Sequence, residues 1–197
     1  MQPPTINPML AGLVIAGGRS RRFGRDKALA MLGGRPLLAW SLAALREACA
    51  EVAINAEADS GAAGLAVTLA APVVSDDPDH PQGPLAGLAA GLKWAAANGF
   101  GALATLPCDT PYIEAHDIAL LHAALGDASA AYARTASGVH GLCAVWRVDL
   151  RDALADRLAA GDHPPIHHYL REIGARALDF PDEARFLNIN RLQDLES

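Results

Sequence analysis

The residues best suited to chemistry follow a short apolar run near the start of the chain. Residues 15–27 read IAGGRSRRFGRDK, so a glycine pair, Gly17 and Gly18, leads into four arginines and then Lys27. Glycine lets the backbone approach a ligand closely, and consecutive N–H groups in such a loop form an anion site. Arginine adds bidentate donors to phosphate oxygens, and lysine adds a compact positive charge. The segment therefore predicts a triphosphate-binding loop, with Arg22 and Lys27 as candidate catalytic cations.

The spacing excludes two common phosphate loops. The GxxxxGK[ST] pattern of a Walker A motif is absent, and so is the GxGxxG pattern of a dinucleotide fold. A Gly-Gly pair alone would more often be a surface turn between a strand and a helix. The concentration of cations directly after an apolar run favours the phosphate site instead.

A second candidate is the carboxylate of Asp109, in the string LPCDTPY at residues 106–112. It follows an apolar run and stands between Pro107 and Pro111, whose fixed φ angles restrict the loop. Mg²⁺ prefers one or two carboxylates together with phosphate oxygens and water. An isolated Asp in such a string would more often cap the following turn. Beside the glycine loop, we favour Asp109 as a metal ligand.

Strands and helices must alternate to position these groups. Strand-like runs and helical periodicity predict the elements that follow. The predicted strands are 10–16, 51–56, 66–69, 73–74, 102–106, 129–134, 141–147, 175–180 and 186–189, and the predicted helices are 36–50, 84–98, 115–125, 149–160 (capped by Asp149), 165–173 and 191–195. This order predicts a Rossmann-like three-layer α/β/α sandwich with a mostly parallel sheet. Ligands of such sheets bind beyond the carboxyl ends of the strands.

The motifs together resemble those of the molybdenum cofactor guanylyltransferases, a family of nucleotidyltransferases. Residues 15–27 are similar to its LAGGxSxRMGxDK signature, with Ile15 for Leu and Phe23 for Met, and residues 107–113 are similar to its PCDTPYI. Cytidylyltransferases for the same cofactor resemble AAGxSxRMGxxK instead. The second glycine and the Asp26–Lys27 pair therefore favour guanine.

The resemblance also implies a role for particular residues. In the family, an Asn at the end of a strand contacts the guanosine, which corresponds here to Asn55, and an Asp upstream of a GPLAG stretch contacts the nucleotide. Of Asp76, Asp77 and Asp79, we select Asp76 because it lies nearest the strand end. The implied nucleotide-binding residues are Ile15, Ala16, Gly17, Gly18, Lys27, Asn55, Asp76 and Asp109, with Mg²⁺ bound by Asp109.

The end of the chain is similar to the family's NxNTPxDL ending. The resemblance implies that Asn188 and Asn190 lie near the pterin of the acceptor, although Arg191 and Leu192 replace the usual Thr-Pro. The His163, His167 and His168 group invites a metal interpretation. A partly exposed helix near the substrate pocket is the better reading because no zinc spacing matches.

The implied reaction transfers GMP from GTP to the phosphate of Mo-molybdopterin and releases pyrophosphate. Transient contacts with other cofactor-biosynthesis proteins or recipient molybdoenzymes are a further implication. One alternative is a cytidylyltransferase or a sugar-phosphate nucleotidyltransferase on the same fold. Another is a non-catalytic nucleotide-binding chaperone, although a leaving-group clamp of Arg22, Lys27 and Asp109 argues against a pure binder.

Composition bounds these interpretations. The net charge of −6 argues against a nucleic-acid partner, and three widely spaced cysteines support neither a disulfide framework nor a zinc site. No secretory signal or long apolar span is visible, so a cytoplasmic protein without membrane contact is expected. We expect a flexible lead at residues 1–10 and a single domain at 11–197, with a nucleotide-binding half at 11–112 and an acceptor-binding half at 113–197.

Overall fold

A seven-stranded sheet covered by helices on both faces forms the centre of the chain. The computed structural model describes residues 7–16, 26–190 and 194. Its strands are β1 (Asn7–Ile15), β2 (Met31–Leu32), β3 (Arg35–Pro36), β4 (Cys49–Asn55), β5 (Val73–Val74), β6 (Ala102–Pro107), β7 (Ala130–Thr135), β8 (Gly138–Arg147) and β9 (Arg176–Asp179). Its helices are α1 (Leu37–Ala48), α2 (Gly61–Thr68), α3 (Pro84–Ala97), α4 (Ala115–Leu125), α5 (Arg151–Ala159) and α6 (Ile166–Glu172).

The strands of the central sheet lie in the order β5-β4-β1-β6-β8-β7-β9, and β2 pairs separately with β3. Strands β5, β4, β1 and β6 are parallel neighbours, as are β7 and β9. Strand β8 runs antiparallel to both β6 and β7. The mostly parallel sheet predicted from the sequence is confirmed, and the four parallel strands on one side end at a common edge.

Two apolar cores hold the three layers together. Side chains of β1 alternate between them: Val14 packs with α1, α2 and α4 on one face, whereas Leu13 and Ile15 pack with α3, α5 and α6 on the other. Successive residues of a strand point to opposite faces, so a strand that is apolar at every position can serve both cores. The predicted three-layer sandwich is confirmed by this division.

Four local predictions are wrong. The predicted strand at 186–189 is not part of a sheet, since a 3-10 turn at Glu183–Phe186 ends there and no strand follows it among the described residues. The predicted helix at 191–195 lies outside the described residues apart from residue 194. Strand β1 begins at Asn7, so residues 7–10 belong to the sheet and not to a flexible lead; its register shifts between Asn7 and Ala11, in the interval that contains a proline. Residues 66–69 form the end of α2 and its cap, because a short apolar run fits a buried helix as well as a strand. Asp149 does not cap α5, since a 3-10 turn at Val148–Leu150 intervenes.

The helices found in the described part of the chain are short or polar. None of them is long and apolar enough to cross a membrane.

Candidate active site

The register of the parallel strands brings the predicted polar groups to one edge. Ile15, near the end of β1, is paired with Asn55 on β4 and with Pro107 on β6, and Asn55 is also paired with Val74 on β5. The four strands therefore end in line. Asp109 lies two residues beyond β6 and Asp76 lies two residues beyond β5, so both occupy loops at this carboxyl edge.

An ion pair joins the glycine-loop segment to the loop after β6. Nζ of Lys27 lies 2.6 Å from Oδ2 of Asp109, and both side chains are mostly buried, at 13% and 19% exposed. Asp26 caps the 3-10 turn Lys27–Leu29, which carries the lysine. The Oδ1 atom of Asp26 accepts from the backbone N–H of Ala28 at 3.1 Å, and its Oδ2 atom accepts from the backbone N–H of Ala62 at 3.0 Å. The lysine is thereby attached to the start of α2 as well as to the loop after β6.

Backbone and hydroxyl hydrogen bonds hold the Asp109 loop. The N–H of Cys108 donates to the carbonyl of Ile15 at 3.1 Å, which continues the β1–β6 pairing one step past the strand. The hydroxyls of Ser41 and Thr110 both donate to the carbonyl of Pro107, at 3.0 and 3.1 Å. The carboxylate is therefore presented from a fixed turn.

The free oxygen of Asp109 suits a hard cation. Its Oδ1 is buried, and no hydrogen bond to it is found among the described residues. A buried anionic oxygen without a donor is costly unless a positive partner reaches it. No group of three or more His, Cys, Asp or Glu side chains that could hold a metal occurs in residues 7–16, 26–190 or 194. A divalent ion at Asp109 would thus take most of its ligands from a bound triphosphate and from water, as Mg²⁺ commonly does.

Asn55 and Asp76 form a second polar pair on this edge. Nδ2 of Asn55 donates to Oδ1 of Asp76 at 2.7 Å and to the carbonyl of Val74 at 3.0 Å. Asn55 is only 2% exposed, and Asp76 is the side chain to which its amide donates. Burial raises the pKa of the Asp76 carboxyl, and the hydrogen bond from Asn55 acts in the opposite direction.

A glycine of α3 makes room for this pair. A Cβ atom added at Gly87 would lie 2.4 Å from Oδ1 of Asn55, closer than any real side chain tolerates. The glycine of the GPLAG stretch therefore allows the helix to pack directly on the asparagine.

The segment near the C-terminus reaches the same site. The backbone N–H of Ile189 donates to the carbonyl of Asp109 at 2.9 Å, and Oδ1 of Asn190 accepts from Nζ of Lys27 at 3.0 Å. Asn188 is exposed and provides its carbonyl to Nδ2 of Asn190 at 3.4 Å. Of the two asparagines predicted near the acceptor, Asn190 is the one whose side chain contacts Lys27.

The remaining predicted site residues belong to the end of β1 and to the segment that follows it in the sequence. Gly17, Gly18 and Arg22 fall outside the described residues. Ile15 is the last residue of β1, and the N–H of Ala16, which follows it, donates to the carbonyl of Asn55 at 3.0 Å. Cys108 is buried, which raises the pKa of its thiol to about 12, so its position beside Asp109 reflects packing.

The histidines of the second half are dispersed. Nε2 of His140 lies 2.9 Å from Oγ1 of Thr135, and its ring packs on Phe186. His163 packs against Gly83 at the start of α3, where a Cβ would lie 2.6 Å from its Cε1. His167 and His168 stack edge to face on α6.

Three contributors were not found from the sequence. Asp26 was noted only as part of a motif, although it fixes the turn that bears Lys27. Gly87 and the bond from Lys27 to Asn190 were not predicted. The glycine within a helical stretch was a usable signal, because such a glycine often marks a close approach. A contact across 163 residues between Lys27 and Asn190 leaves no local trace.

Comparison with known proteins gives a consistent result. Residues 12–176 match the family described as the MobA-like NTP transferase domain. The molybdenum cofactor guanylyltransferase of Cereibacter sphaeroides is 44% identical over 188 residues, covering 94% of this chain and 93% of that protein.

Solved structures share the fold at lower identity. Molybdopterin-guanine dinucleotide biosynthesis protein A from Archaeoglobus fulgidus superimposes with a TM-score of 0.73 at 21% identity, covering 94% of this chain and 95% of that one. A manganese complex of Rv0371c from Mycobacterium tuberculosis has a TM-score of 0.61 at 18% identity, covering 88% and 89%.

Proposed function

Because the chain belongs to the MobA-like NTP transferase family, we propose that it transfers GMP from GTP to the terminal phosphate of Mo-molybdopterin. An oxygen of the acceptor phosphate attacks the α-phosphorus of GTP, the bond from that phosphorus to the bridging oxygen breaks, and pyrophosphate leaves. The observation that carries the proposal is the Lys27–Asp109 pair, with its free carboxylate oxygen, at the carboxyl edge of the sheet. An ionised phosphate nucleophile needs no general base, so positioning and charge stabilisation dominate.

The phosphate end of the site combines backbone and cationic groups. We propose that the N–H groups of Gly17 and Gly18 hold the β- and γ-phosphates and that Arg22 contacts the same oxygens. Lys27 stabilises the charge that builds on the departing pyrophosphate. Its support comes from the fixed 3-10 turn, which keeps the ammonium at the edge where β1 ends.

Asp109 is the proposed ligand of Mg²⁺. Asp109 would hold the ion at the edge where the phosphates bind, and the ion would supply positive charge there. Support comes from the chemistry of the site: Oδ1 is buried and receives no hydrogen bond from the part of the chain that the structure describes, and Oδ2 already attracts a cation in the form of Lys27. The fixed loop after β6 supplies the rigidity that a metal ligand needs, since the hydroxyls of Ser41 and Thr110 both hold its backbone.

Asp76 and Asn55 form the proposed nucleoside end. The phosphates occupy the loop after β1, so the neighbouring strand ends at β4 and β5 are left for ribose and base. Asp76 provides the carboxylate, and Asn55 orients it by a 2.7 Å hydrogen bond. Backbone groups of Ile15 and Ala16 complete this end in the proposal.

The acceptor occupies the other half of the site in the proposal. Residues 11–112 bind the nucleotide, and residues 113–197 bind molybdopterin, with Asn188 exposed next to Ile189, whose N–H donates to the carbonyl of Asp109. We further propose a cytoplasmic location, no nucleic-acid partner, and transient contacts with proteins that make or receive the cofactor. These last points follow from the proposed reaction and from the net charge.

A panel of nucleotides tests the proposal. Wild-type chain, Mg²⁺ and Mo-molybdopterin are combined with GTP, CTP, ATP or UTP, and pyrophosphate release is measured. GTP should support release at least about 100-fold faster than the others, the discrimination available to a site that pairs a polar base edge. Preference for CTP would instead identify a cytidylyltransferase. Tight GTP binding without release would identify a nucleotide-binding chaperone.

A further inference from the structure

We infer that Asn190 is a positioning residue that holds the ammonium of Lys27 in place. This inference rests on the proposed function, in which Lys27 acts on the phosphates. Nζ of Lys27 donates to Oδ1 of Asn190 at 3.0 Å while also contacting Asp109. The residue therefore acts through Lys27 and is distinct from the acceptor contact that the family resemblance implied.

The segment that bears Asn190 is fixed across the site. Residues 187–190, here termed the C-terminal strap, pass over the Asp109 loop, where the N–H of Ile189 donates to the carbonyl of Asp109 at 2.9 Å. The side chain of Ile189 is 3% exposed and packs in a small apolar cluster with Ala30 and Leu37. Ala30 is the residue that directly follows the turn carrying Lys27. The strap thus connects the Asp109 loop to the turn that carries Lys27. The backbone of Ile189 bonds the first, and its buried side chain packs beside the second.

The orientation of the amide is determined by its neighbours. The backbone N–H of Asn190 donates to Oδ2 of Asp194 at 2.8 Å, and its Nδ2 faces the carbonyl of Asn188 at 3.4 Å. With the nitrogen directed to a carbonyl, the oxygen is the atom that faces Lys27. A lysine ammonium is a donor only, so an oxygen is the partner it requires.

Charge explains why a second anchor is useful. Lys27 and a divalent cation compete for the same carboxylate at Asp109, and the ion carries the larger charge. A lysine side chain has a flexible four-carbon stem. It would occupy many rotamers once its ammonium was released from Asp109. The amide oxygen of Asn190 is neutral, so it attracts the metal less and adds no negative charge beside the triphosphate. It can keep Lys27 within reach of the phosphates after Asp109 has taken the metal.

The lysine content of the chain provides a direct test. Its two lysines are Lys27 and Lys93, and Lys93 is exposed on α3. The chain is treated with a limiting amount of acetic anhydride, and the acetylated fraction of each lysine is measured by mass spectrometry of peptides. The ratio of the fraction at Lys27 to that at Lys93 is the readout, with Lys93 as the internal reference. The measurement is made on the full chain with Mg²⁺ and without nucleotide, so it does not depend on turnover.

Asn190→Ala should raise the Lys27-to-Lys93 acetylation ratio on the order of tenfold, the population change expected on losing a hydrogen bond to a charged group. Asn190→Asp retains an oxygen at this position and should keep the ratio near the wild-type value. An unchanged ratio in Asn190→Ala would overturn the inference.

Kinetics supply the second readout. Asn190→Ala should lower kcat on the order of tenfold and change KM for GTP and for molybdopterin by less than about threefold. Asn98→Ala, which removes an exposed asparagine at the end of α3, is the matched control and should leave kcat unchanged. A raised KM for molybdopterin with an unchanged acetylation ratio would make Asn190 an acceptor contact. Absence of turnover in every chain, with the acetylation ratio still changed, would contradict the proposed function alone.

Discussion

Lys27 and Asp109 are separated by 82 residues in the sequence, and their side chains meet at 2.6 Å in a partly buried ion pair. The lysine follows the loop after β1, and the aspartate follows β6, the strand paired with β1. Parallel strands place both groups at the same edge, so the pair is a consequence of topology. A cation already sits at the carboxylate that we propose for Mg²⁺, and none of residues 7–16, 26–190 and 194 donates a hydrogen bond to its opposite oxygen.

Asp109→Asn should retain the fold and lose turnover. The amide keeps the shape and can still accept from Lys27, but it lacks the charge that a divalent ion requires. The loss should be about 10³-fold in kcat, corresponding to several kcal/mol of metal-assisted stabilisation. Pyrophosphate release is measured across a Mg²⁺ titration, with circular dichroism to check the fold. Near-normal rates at saturating Mg²⁺ would remove Asp109 from the metal site.

Lys27→Ala should lower kcat by about 10²-fold and affect GTP affinity less. Its charge is most valuable where negative charge develops on the leaving pyrophosphate, an interaction stronger in the transition state than in the ground state. Steady-state rates and calorimetric GTP binding separate the two effects. Lys93→Ala removes the other lysine, exposed on α3, and serves as control. Weakened binding with an unchanged saturated rate would make Lys27 a ground-state contact only.

Asn55→Ala and Asp76→Ala should erode nucleotide preference more than the rate. Asp76 provides the polar group, and Asn55 orients it, so losing either lowers the selectivity for GTP on the order of tenfold. The ratio of kcat/KM for GTP to that for ATP and CTP is the measurement. Unchanged preference in both variants would place base recognition in the backbone around residues 15–17.

Gly87→Ala should reproduce the selectivity loss of Asn55→Ala without touching the ligand. The added Cβ would lie 2.4 Å from Oδ1 of Asn55, so the amide must shift and release Asp76. Gly64→Ala in α2 is the matched control, because nothing lies within 4 Å of its Cβ position and an alanine there should stabilise the helix by about 0.5–1 kcal/mol. If Gly87→Ala kept full GTP preference, the orientation of Asp76 would not depend on Asn55.

Asp76→Asn should raise the melting temperature at neutral pH. Burial raises the pKa of Asp76 in the folded chain, so the folded state keeps its proton to higher pH than the unfolded state. The free energy of unfolding therefore falls as the pH rises from the ordinary pKa of Asp through the raised pKa of folded Asp76. Asp76→Asn removes the charge and with it this loss of stability. The difference in melting temperature between Asp76→Asn and the wild type should shrink below about pH 3.9, the ordinary pKa of an Asp side chain. Asp79→Asn, which changes an exposed carboxylate of the same loop, is the matched control.

The sequence predicted what local patterns encode. Apolar runs bounded by glycine and proline identified β1 and β6, and the helix at 115–125 was predicted with its bounds correct. The run at 66–69 was misassigned, because a short, mostly apolar stretch such as Ala-Val-Thr-Leu fits either a helix or a strand. Packing decided it: Ala66 is fully buried against the sheet as part of α2.

Long-range contacts of the site were harder to predict. Asp109 was found because a strand-end carboxylate between prolines has a local signature. The bond between Lys27 and Asn190 depends on how the C-terminal strap crosses the Asp109 loop, and no spacing in the sequence encodes that crossing. The burial of Asn55 likewise depends on the approach of α3 at Gly87.

Following the two ends of the triphosphate tests the central claim most directly. Wild-type chain, Mg²⁺ and Mo-molybdopterin are incubated with GTP that carries a label on either the α- or the γ-phosphate, and products are separated and weighed by mass spectrometry. The account predicts that the α-label enters a product heavier than molybdopterin by one GMP unit and that the γ-label leaves in pyrophosphate. Labelled GMP or GDP in free solution, with molybdopterin unchanged in mass, would contradict it.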